Sequence, residues 1–398
     1  MRGQARRGMA DDLVAGGMAV MVQVGYSGPD VRADVEITAE PAAKFGFDFE
    51  SSCSPLYDDL IRDQVWAVSR EFGEPALHLT CIDSGALPMV WSARLTAVIC
   101  LSLGLEFPAV VSDRKFSGNG LRRSRLYVPA NTPKLIPNAP LFSPDAVILD
   151  LEESVHIDRK VEALALVASV SKAVDWGNIE LMVRINSGSL GLSELMTLGS
   201  SSVGTFVIPK VGSPEDLASI LNVLDFCESQ ARIIPLIESA LGVENAFEIA
   251  GCSPRVTAIS LGLEDYVADI GATRTVDQSE SWFARSRVLN AARAAGVMPL
   301  ASVFPRFQVE DDVEEYARGA RMAGYEGIGC IHPNQIGPAH KGFVASGAEL
   351  ERARRIIEAY EQAEAEGKGA VGVDGAMADL PTYERAKRVV RLAEGGMQ

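Results

Sequence analysis

The sequence predicts an α/β fold whose main part is a TIM (β/α)8 barrel, preceded by a small α+β domain. Two observations predict it. The sequence pattern changes near residue 117, in a short polar segment that contains glycine. After that point, eight short runs rich in Val, Ile and Leu alternate with helical stretches, and most of the runs lack strict polar alternation. Parallel strands covered on both faces have this pattern. A doubly wound sheet is the alternative fold.

The front domain is predicted from four segments. Val31–Thr38 alternates apolar and charged residues, which indicates a half-exposed strand. Pro55–Glu71 has apolar residues at helical spacing, and Ala76–Asp83 alternates again before a Ser-Gly turn. Pro88–Leu103 then predicts a second helix. Strands and helices in this order indicate an α+β unit.

The barrel is predicted from eight apolar runs, each too short for a helix. They are Arg125–Pro129, Ala146–Leu151, Glu180–Asn186, Thr205–Pro209, Arg232–Glu238, Val256–Gly262, Val297–Val303 and Gly327–His332. The predicted boundaries are 18–114 for the front domain, 115–121 for a linker, 122–340 for the barrel and 341–398 for a C-terminal helical extension and lid.

Composition excludes several classes of protein. The 398 residues are 47% hydrophobic, but no stretch approaches the ~18 uncharged apolar residues of a membrane span. The net charge of −16 is wrong for a generic nucleic-acid binder. The six cysteines are scattered without a C-x-x-C pair, which favours reduced thiols in a cytoplasmic protein.

Ionisable residues cluster where the predicted barrel strands end, at six of the eight ends. An isolated charge there is usually a solvated turn residue, whereas a repeated one predicts a polar mouth, where barrel enzymes carry their chemistry. The polar residues at these ends are Asn131, Asp150, Glu152, Glu153, Arg184, Asn186, Lys210, Glu238, Glu264, Asp265 and His332.

Carboxylates from two strands, with no His or Cys nearby in sequence, suit a hard cation such as Mg²⁺. Glu238 and Asp265 are the predicted ligands; the alternative is a structural ion pair, for example of Glu238 with Arg184. Arg184 would supply a planar fork for a substrate carboxylate or keto-acid oxygen. The residues alone thus indicate carbon–carbon bond chemistry next to a carbonyl, or enolate chemistry, without choosing among aldolases, mutases and enolases.

Residues 122–395 resemble the citrate lyase beta subunit family of the HpcH/HpaI aldolase superfamily. The resemblance lies in seven short motifs in family order rather than in any one of them. They are Arg123-Ser124-x-Leu126-Tyr127-Val128-Pro129 with Asn131-x-Pro133-Lys134, Ala146–Glu153 followed by Lys160, Val183–Asn186, Ile208–Lys210, Ile237–Ser239, Gly262-x-Glu264-Asp265 and Cys330–Pro333.

The resemblance implies Mg²⁺-dependent cleavage of a β-hydroxyacyl thioester by a barrel that forms trimers or hexamers. Its metal ligands fall on Glu238 and Asp265, and its substrate-polarising arginine falls on Arg184. The segment Gly372–Pro381 resembles a loop of citramalyl-CoA and malyl-CoA lyases, which gives Asp379 the role of a general acid/base delivered from a neighbouring subunit. The alternative for Asp379 is a helix N-cap. Residues predicted to bind substrate or CoA are Arg123, Asn131, Lys134, Asp150, Glu152, Lys160, Lys210 and His332.

The front domain resembles the citrate lyase gamma chain, an acyl carrier protein. The matching residues are Ser51-Ser52, Leu60-Ile61-Arg62, Asp83-Ser84-Gly85-Ala86-Leu87 and Ala93-Arg94-Leu95. The attachment motif of that family, S-G-D-V or similar, corresponds to Ser27-Gly28-Pro29-Asp30-Val31, which carries one extra residue, Pro29. The resemblance implies a phosphoribosyl-dephospho-CoA arm on Ser27. The alternative is an ordinary turn serine beside Gly-Pro.

The predicted function is therefore a retro-aldol lyase that acts on a citryl-, citramalyl- or malyl-type thioester of CoA or an acyl carrier. A complete citrate lyase would also need an acyltransferase subunit as partner. The sequence leaves two alternatives open. One is malate-synthase-like condensation or malyl-CoA thioesterase activity. The other is a non-catalytic carrier or scaffold subunit.

Overall fold

The computed structural model describes residues 21–112, 120–275, 278–306 and 308–395. The basic N-terminus, the start of the predicted front domain and most of the predicted linker lie outside the described residues. The predicted domain boundaries therefore stay a prediction.

Residues 21–112 form a mixed four-stranded sheet with two helices, as the α+β prediction requires. The strand order is β1-β2-β4-β3; β3 and β4 are parallel and the other neighbours antiparallel. Two of the strands, β1 and β3, are not predicted from the sequence. The elements are β1 (Val22–Val24), β2 (Val35–Pro41), β3 (Gly46–Ser51), α1 (Asp58–Glu71), β4 (Leu77–Asp83) and α2 (Pro88–Leu103).

Strand β2 begins four residues later than predicted. Ala33 has a φ of 60°, in the left-handed region that a strand cannot contain. Its backbone N–H donates to the carbonyl of Ser84 instead. The alternation that starts at Val31 thus belongs partly to a loop.

Eight strands form one sheet in the order β11-β10-β9-β8-β7-β6-β5-β12. Neighbours pair in parallel, and a parallel bridge between Val303 and Gly329 joins the segment after β11 to β12, so that the sheet is nearly closed. The TIM-barrel prediction is confirmed. The strands are β5 (Ser124–Pro129), β6 (Ala146–Asp150), β7 (Glu180–Arg184), β8 (Thr205–Ile208), β9 (Arg232–Ile237), β10 (Ala258–Leu261), β11 (Met298–Leu300) and β12 (Ile328–Cys330).

Helices follow the strands as the (β/α) pattern requires. All residues of β6, β8 and β10 are buried, which explains why these strands read as continuous apolar runs. The helices are α3 (Lys160–Ala173), α4 (Gly188–Leu198), α5 (Ala218–Phe226), α6 (Ala240–Glu244), α7 (Ala246–Gly251), α8 (Leu263–Asp269), α9 (Trp282–Ala295), α10 (Glu310–Ala323) and α11 (Ile336–Phe343).

The C-terminal extension is not purely helical. It consists of α12 (Gly347–Ala365), a hairpin of β13 (Ala370–Val373) and β14 (Ala376–Asp379), and α13 (Leu380–Gly395). Asp374 and Gly375 both have positive φ at the hairpin turn, as the Asp-Gly pair favours. The prediction of a helical extension missed this hairpin, although its turn signal is present.

The described chain divides into two compact units. The first contains the N-terminal sheet with 128–141 and 147–234, and the second contains 142–146, 235–395 and the residues around β5 up to 127. Within the first unit, α2 packs against α3, and the Ser169 hydroxyl donates to the carbonyl of Met89 at 2.7 Å. Both helices are apolar nearly all round, which is typical of helices buried on both sides.

No helix in the described part of the chain is both long and apolar enough to cross a membrane.

Candidate active site

An ionic cluster lies at the carboxyl ends of β6 and β7 in the first unit. Arg184 is the last residue of β7, and its Nε and Nη2 each donate to one oxygen of Asp150 at 2.7 Å. Its Nη1 lies 2.9 Å from Glu152 Oε2, while Lys210 Nζ is 3.8 Å from Glu152 Oε1. The two carboxylates fix the plane of the guanidinium, because a bidentate pair permits only one orientation.

The pKa values of the two carboxyls are shifted in opposite directions. Burial raises the pKa of Asp150, but the hydrogen bonds and the charge of Arg184 outweigh burial and hold that pKa below its ordinary value. Burial raises the pKa of Glu152 to about 7, although Arg184 and Lys210 lower it. Neighbouring groups with separated pKa values are suited to acid–base work near neutral pH.

Further buried polar groups hold the backbone segments that follow β6 and β7 in place beside this cluster. Lys160 Nζ donates to the carbonyls of Leu151 and Glu152 at 2.7 and 2.5 Å, which fixes the loop after β6. Glu194 accepts from the backbone and side-chain nitrogens of Asn186 at 2.8 and 2.5 Å, and Asn186 donates in turn to Leu151. Burial raises the pKa of Glu194 to about 7.

A cleft of about 260 Å³ opens beside these residues. The cleft lies at the carboxyl ends of β7 and β8, on the same side of the sheet as the ionic cluster. Its polar lining comes from Asn186, Ser187, Lys210, Asp216 and Ser219. The cleft is large enough for part of a small organic acid or of a pantetheine chain.

We expect Glu152→Gln to change the pH dependence of stability. The pKa of Glu152 is about 7 in the folded protein against an ordinary 4.5, so the folded state binds the proton more tightly. Stability from this group is fully present below about pH 4.5 and is lost as the pH rises through about 7. The free energy of unfolding of the wild type relative to Glu152→Gln should therefore fall across that range, by ~1.4 kcal/mol for each unit of pKa shift.

Urea unfolding at intervals between pH 4.5 and 8 measures this difference. The exposed neighbour Glu153 provides a graded comparison, because its negative charge helps to raise the pKa of Glu152. Glu153→Gln should therefore reduce the fall of stability with pH without abolishing it. If the free energy of unfolding of the wild type relative to Glu152→Gln stayed constant or rose with pH, the expectation would be contradicted.

The predicted metal ligands lie in the second unit. Glu238 directly follows β9 and is 6% exposed. Gly262 directly follows β10 and donates to the carbonyl of Ile237 at 2.9 Å. A Cβ at Gly262 would lie 2.4 Å from Glu238 Oε1, so the glycine leaves the space that the carboxylate fills. Asp265, half-buried, follows three residues later in the first turn of α8.

This donor set fits Mg²⁺. The cation takes oxygen ligands and is commonly held by one or two carboxylates, with water and substrate oxygens completing the shell. The described residues contain no group of three or more His, Cys, Asp or Glu arranged to hold a metal. Among them, a site of two carboxylates would be completed by water or substrate oxygens. Glu264 differs from Asp265, because its side chain is 74% exposed and pairs with Arg274 at 3.1 Å.

The residues predicted to bind CoA phosphates are divided between the two ends of β5. Arg123 precedes the strand and makes a bidentate pair with Asp145 at 2.8 Å. Asn131 and the exposed Lys134 follow the strand, on the carboxyl side. The sequence motif does not distinguish these positions, and the CoA role of all three stays a prediction.

Two other predicted residues act as caps in this chain. His332 Nδ1 accepts from the backbone N–H of Asn334 at 3.2 Å, at the start of a short 3-10 turn. Asp379 Oδ1 accepts from the backbone N–H and hydroxyl of Thr382 at 3.1 and 2.8 Å, at the start of α13. These hydrogen bonds hold the pKa of Asp379 below its ordinary value. Within one chain, Asp379 therefore acts as the helix N-cap, which is the alternative role predicted for this residue from the sequence.

Ser27 is half-buried in the loop between β1 and β2. Its hydroxyl donates to Glu36 Oε2 at 3.0 Å. The backbone N–H of Gly25, two residues earlier, donates to Glu162 of α3 at 2.8 Å.

Sequence reasoning missed several of these groups. Glu194, Glu162 and Arg94 are charged residues in segments otherwise filled with apolar or small residues, and all three are at most 2% exposed. A charged residue inside a buried helix needs a partner. An isolated charge in an apolar helical segment is therefore the sequence signal that could have identified these residues.

The chain is a member of the HpcH/HpaI aldolase/citrate lyase family, which matches residues 123–333. Residues 24–101 match a second family, the acyl-carrier family described as malonate decarboxylase delta subunit. The citrate lyase subunit beta of Haemophilus influenzae is 34% identical over 70% of this chain and 99% of its own length. The mitochondrial citramalyl-CoA lyase of Mus musculus is 33% identical over 80% of this chain and 97% of its own length.

Solved structures agree with this assignment. The protein CitE from Mycobacterium tuberculosis, in complex with magnesium, acetoacetate and coenzyme A, has a TM-score of 0.60 and 29% identity. The match covers 69% of this chain and 99% of that one. The resemblances inferred from the sequence motifs are thus confirmed at the level of the family.

Proposed function

We propose that this chain is a Mg²⁺-dependent carbon–carbon lyase that cleaves a 3-hydroxyacyl thioester into a 2-oxo acid and an acetyl thioester. The observation that carries the proposal is the Glu238–Gly262 contact, with Asp265 one helical turn further on. Among the described residues that arrangement offers two carboxylate ligands, which leaves coordination positions for the hydroxyl and carboxylate oxygens of a substrate.

Glu238 and Asp265 would hold the cation, which when bound supplies positive charge beside the substrate oxygens. Arg184, oriented by Asp150, would bind the carbonyl oxygen on which negative charge develops. Glu152 would hold or release a proton near neutral pH, because its pKa is about 7. Lys210 places a positive charge beside the Glu152 carboxylate, and Lys160 holds the loop after β6 in place.

The reaction balances without a redox partner. The substrate hydroxyl loses its proton, its oxygen forms the carbonyl of the 2-oxo acid, and the adjacent carbon–carbon bond breaks. The bonding electrons pass to the thioester enolate, which takes a proton at carbon to give the acetyl thioester. Asp379 of another subunit is the proposed donor or acceptor of that proton, within a trimer or hexamer.

The acyl group would be carried either by free CoA or by an arm on Ser27. The half-buried position of Ser27 and its hydrogen bond to Glu36 support a defined loop rather than a random turn. A phosphoribosyl-dephospho-CoA arm on Ser27 would make the chain a joined carrier and lyase. Such a protein would work with an acyltransferase subunit that loads the arm.

The deciding experiment incubates the purified protein with Mg²⁺ and citryl-, citramalyl- or malyl-CoA. Acetyl-CoA and a 2-oxo acid in equal amounts support the lyase. Free CoA and the hydroxy acid would instead indicate the thioesterase alternative, and no turnover of any thioester would favour a carrier or scaffold role. Intact mass of the protein from its native host, with peptide mapping around Ser27, tests the arm.

We expect Asp379→Asn to separate the two roles of this residue. Asn caps helices about as well as Asp, so stability should change by less than ~0.5 kcal/mol. The amide cannot exchange the proton, so turnover should fall by roughly 10²-fold or more, the usual contribution of general acid–base catalysis. Thermal unfolding and steady-state kinetics on one preparation measure both. Full activity in the variant would limit Asp379 to capping.

A further inference from the structure

A buried ionic cluster joins the N-terminal sheet to helix α3 within the first unit. Arg94 of α2 is completely buried and makes a bidentate pair with Asp34 at 2.9 and 3.0 Å. Its Nη1 also donates to Glu162 of α3 at 3.1 Å. Glu162 accepts a further hydrogen bond from Arg159 at 2.6 Å, so two carboxylates face two guanidiniums and the cluster is neutral.

The same glutamate holds the loop that presents Ser27. Glu162 Oε2 accepts from the buried backbone N–H of Gly25 at 2.8 Å. The Arg159 guanidinium lies over the Tyr26 ring, 4.6 Å from its centroid. Two consecutive residues before Ser27 are therefore held by residues at the start of α3.

The start of α3 also holds the loop after β6. Lys160 lies between Arg159 and Glu162 in sequence, and its ammonium donates to the carbonyls of Leu151 and Glu152. One helical turn thus contacts the serine loop through two side chains, and through a third it contacts the backbone of the loop that carries Glu152 of the candidate active site.

We infer that Glu162 is a positioning residue that fixes the Gly25–Ser27 loop on α3, so that a thioester carried on Ser27 is delivered to the lyase site of the same chain. This inference rests on the proposed function, because it assumes a lyase at the end of β6 and an acyl group on Ser27. It adds that the serine loop is held on α3, because the buried Gly25 N–H and the fully buried Arg94 both donate hydrogen bonds to Glu162. Intramolecular delivery raises the effective concentration of the acyl group without any gain in affinity.

Hydrogen exchange of the intact protein tests the contact itself. Glu162→Leu removes both accepting oxygens at similar volume, and we expect exchange of the Gly25–Ser27 segment to rise at least ~10-fold by loss of local protection. Glu162→Gln retains one acceptor and should lie between that variant and the wild type. Glu180→Gln is the matched control, because Glu180 is also 2% exposed but accepts from Thr205 on β8. Unchanged exchange in Glu162→Leu would overturn the inference.

Kinetics test the delivery. In a background with Cys53, Cys227 and Cys252 replaced by serine, Ser27→Cys is alkylated with a pantetheine that carries a bromoacetyl group on its hydroxyl end and a protected thiol, so that the cysteine thiolate displaces bromide. The pantetheine thiol is then deprotected and acylated with the acid that the free-CoA assay selects. Glu162→Leu should slow oxo-acid release from this linked thioester at least ~10-fold, while kcat/KM for the free CoA thioester stays within about twofold. Equal losses on both substrates would overturn the positioning role.

Mixing separates delivery within one chain from delivery between chains. Loaded chains that carry Arg184→Lys, mixed with unloaded wild-type chains, should release less than a tenth of the oxo acid that loaded chains with an intact Arg184 release. Full recovery on mixing would overturn delivery within the chain. A protein that cleaves free thioesters but not the linked one refutes the carrier role, and with it this inference. A protein that cleaves neither refutes the lyase, and hydrogen exchange then decides the loop contact by itself.

Discussion

Asp265→Asn is expected to lower turnover by at least ~10³-fold, because loss of a ligand removes charge stabilisation where the transition state needs it. The substitution keeps the size of the side chain and replaces a charged oxygen with an amide. Asp265 is half-buried at the start of α8, so the fold should remain intact. Calorimetric titration with Mg²⁺ should show weakened binding in parallel with the loss of turnover.

Glu264→Gln is the matched control for that experiment. The two acidic residues are adjacent, yet the Glu264 side chain is 74% exposed and pairs with Arg274. We therefore expect Glu264→Gln to change turnover by less than about twofold, since exposed ion pairs contribute little. Full Mg²⁺-dependent activity in Asp265→Asn would remove the metal assignment, and a large loss in both variants would mean that α8 is needed only as a structural element.

The sequence was sufficient to predict the barrel and the polar residues that stand where its strands end. Strands such as β6 and β8 are completely buried, and their apolar runs cannot be confused with exposed segments. Because parallel strands end at one side of a sheet, the polar residue after each run could be assigned to one mouth. Arg184 and Asp150 indeed lie in contact where β7 and β6 end.

The remaining features depend on contacts that sequence spacing does not encode. Arg123 belongs to the same motif as Asn131, yet it precedes β5 and pairs with Asp145. The hairpin of β13 and β14 has four-residue strands, too short for a pattern of alternation to be recognised. Arg94 finds Asp34 and Glu162 at separations of 60 and 68 residues, because α2 packs against both β2 and α3.

Arg94→Met is expected to cost about 3–5 kcal/mol of stability, the range for removing one partner of a buried ion pair. The arginine is completely buried, and its loss leaves the Asp34 and Glu162 carboxylates facing a single guanidinium, that of Arg159, so that one negative charge is no longer compensated. Methionine fills much of the same volume, so the expected loss comes from the uncompensated charge rather than from a cavity. Urea unfolding of the full-length chain, monitored by circular dichroism, measures the loss of stability.

Arg159→Met provides the comparison, because Arg159 donates to the same Glu162 carboxylate but its side chain is 28% exposed. Solvent can replace this partner, so we expect a loss of no more than ~1 kcal/mol. A large ratio between the two losses would show that burial, rather than the number of ion pairs on Glu162, sets the strength of the junction between the N-terminal sheet and α3. Equal losses would mean that the Glu162 carboxylate itself sets the stability of this junction, and Arg94 would then contribute mainly by packing.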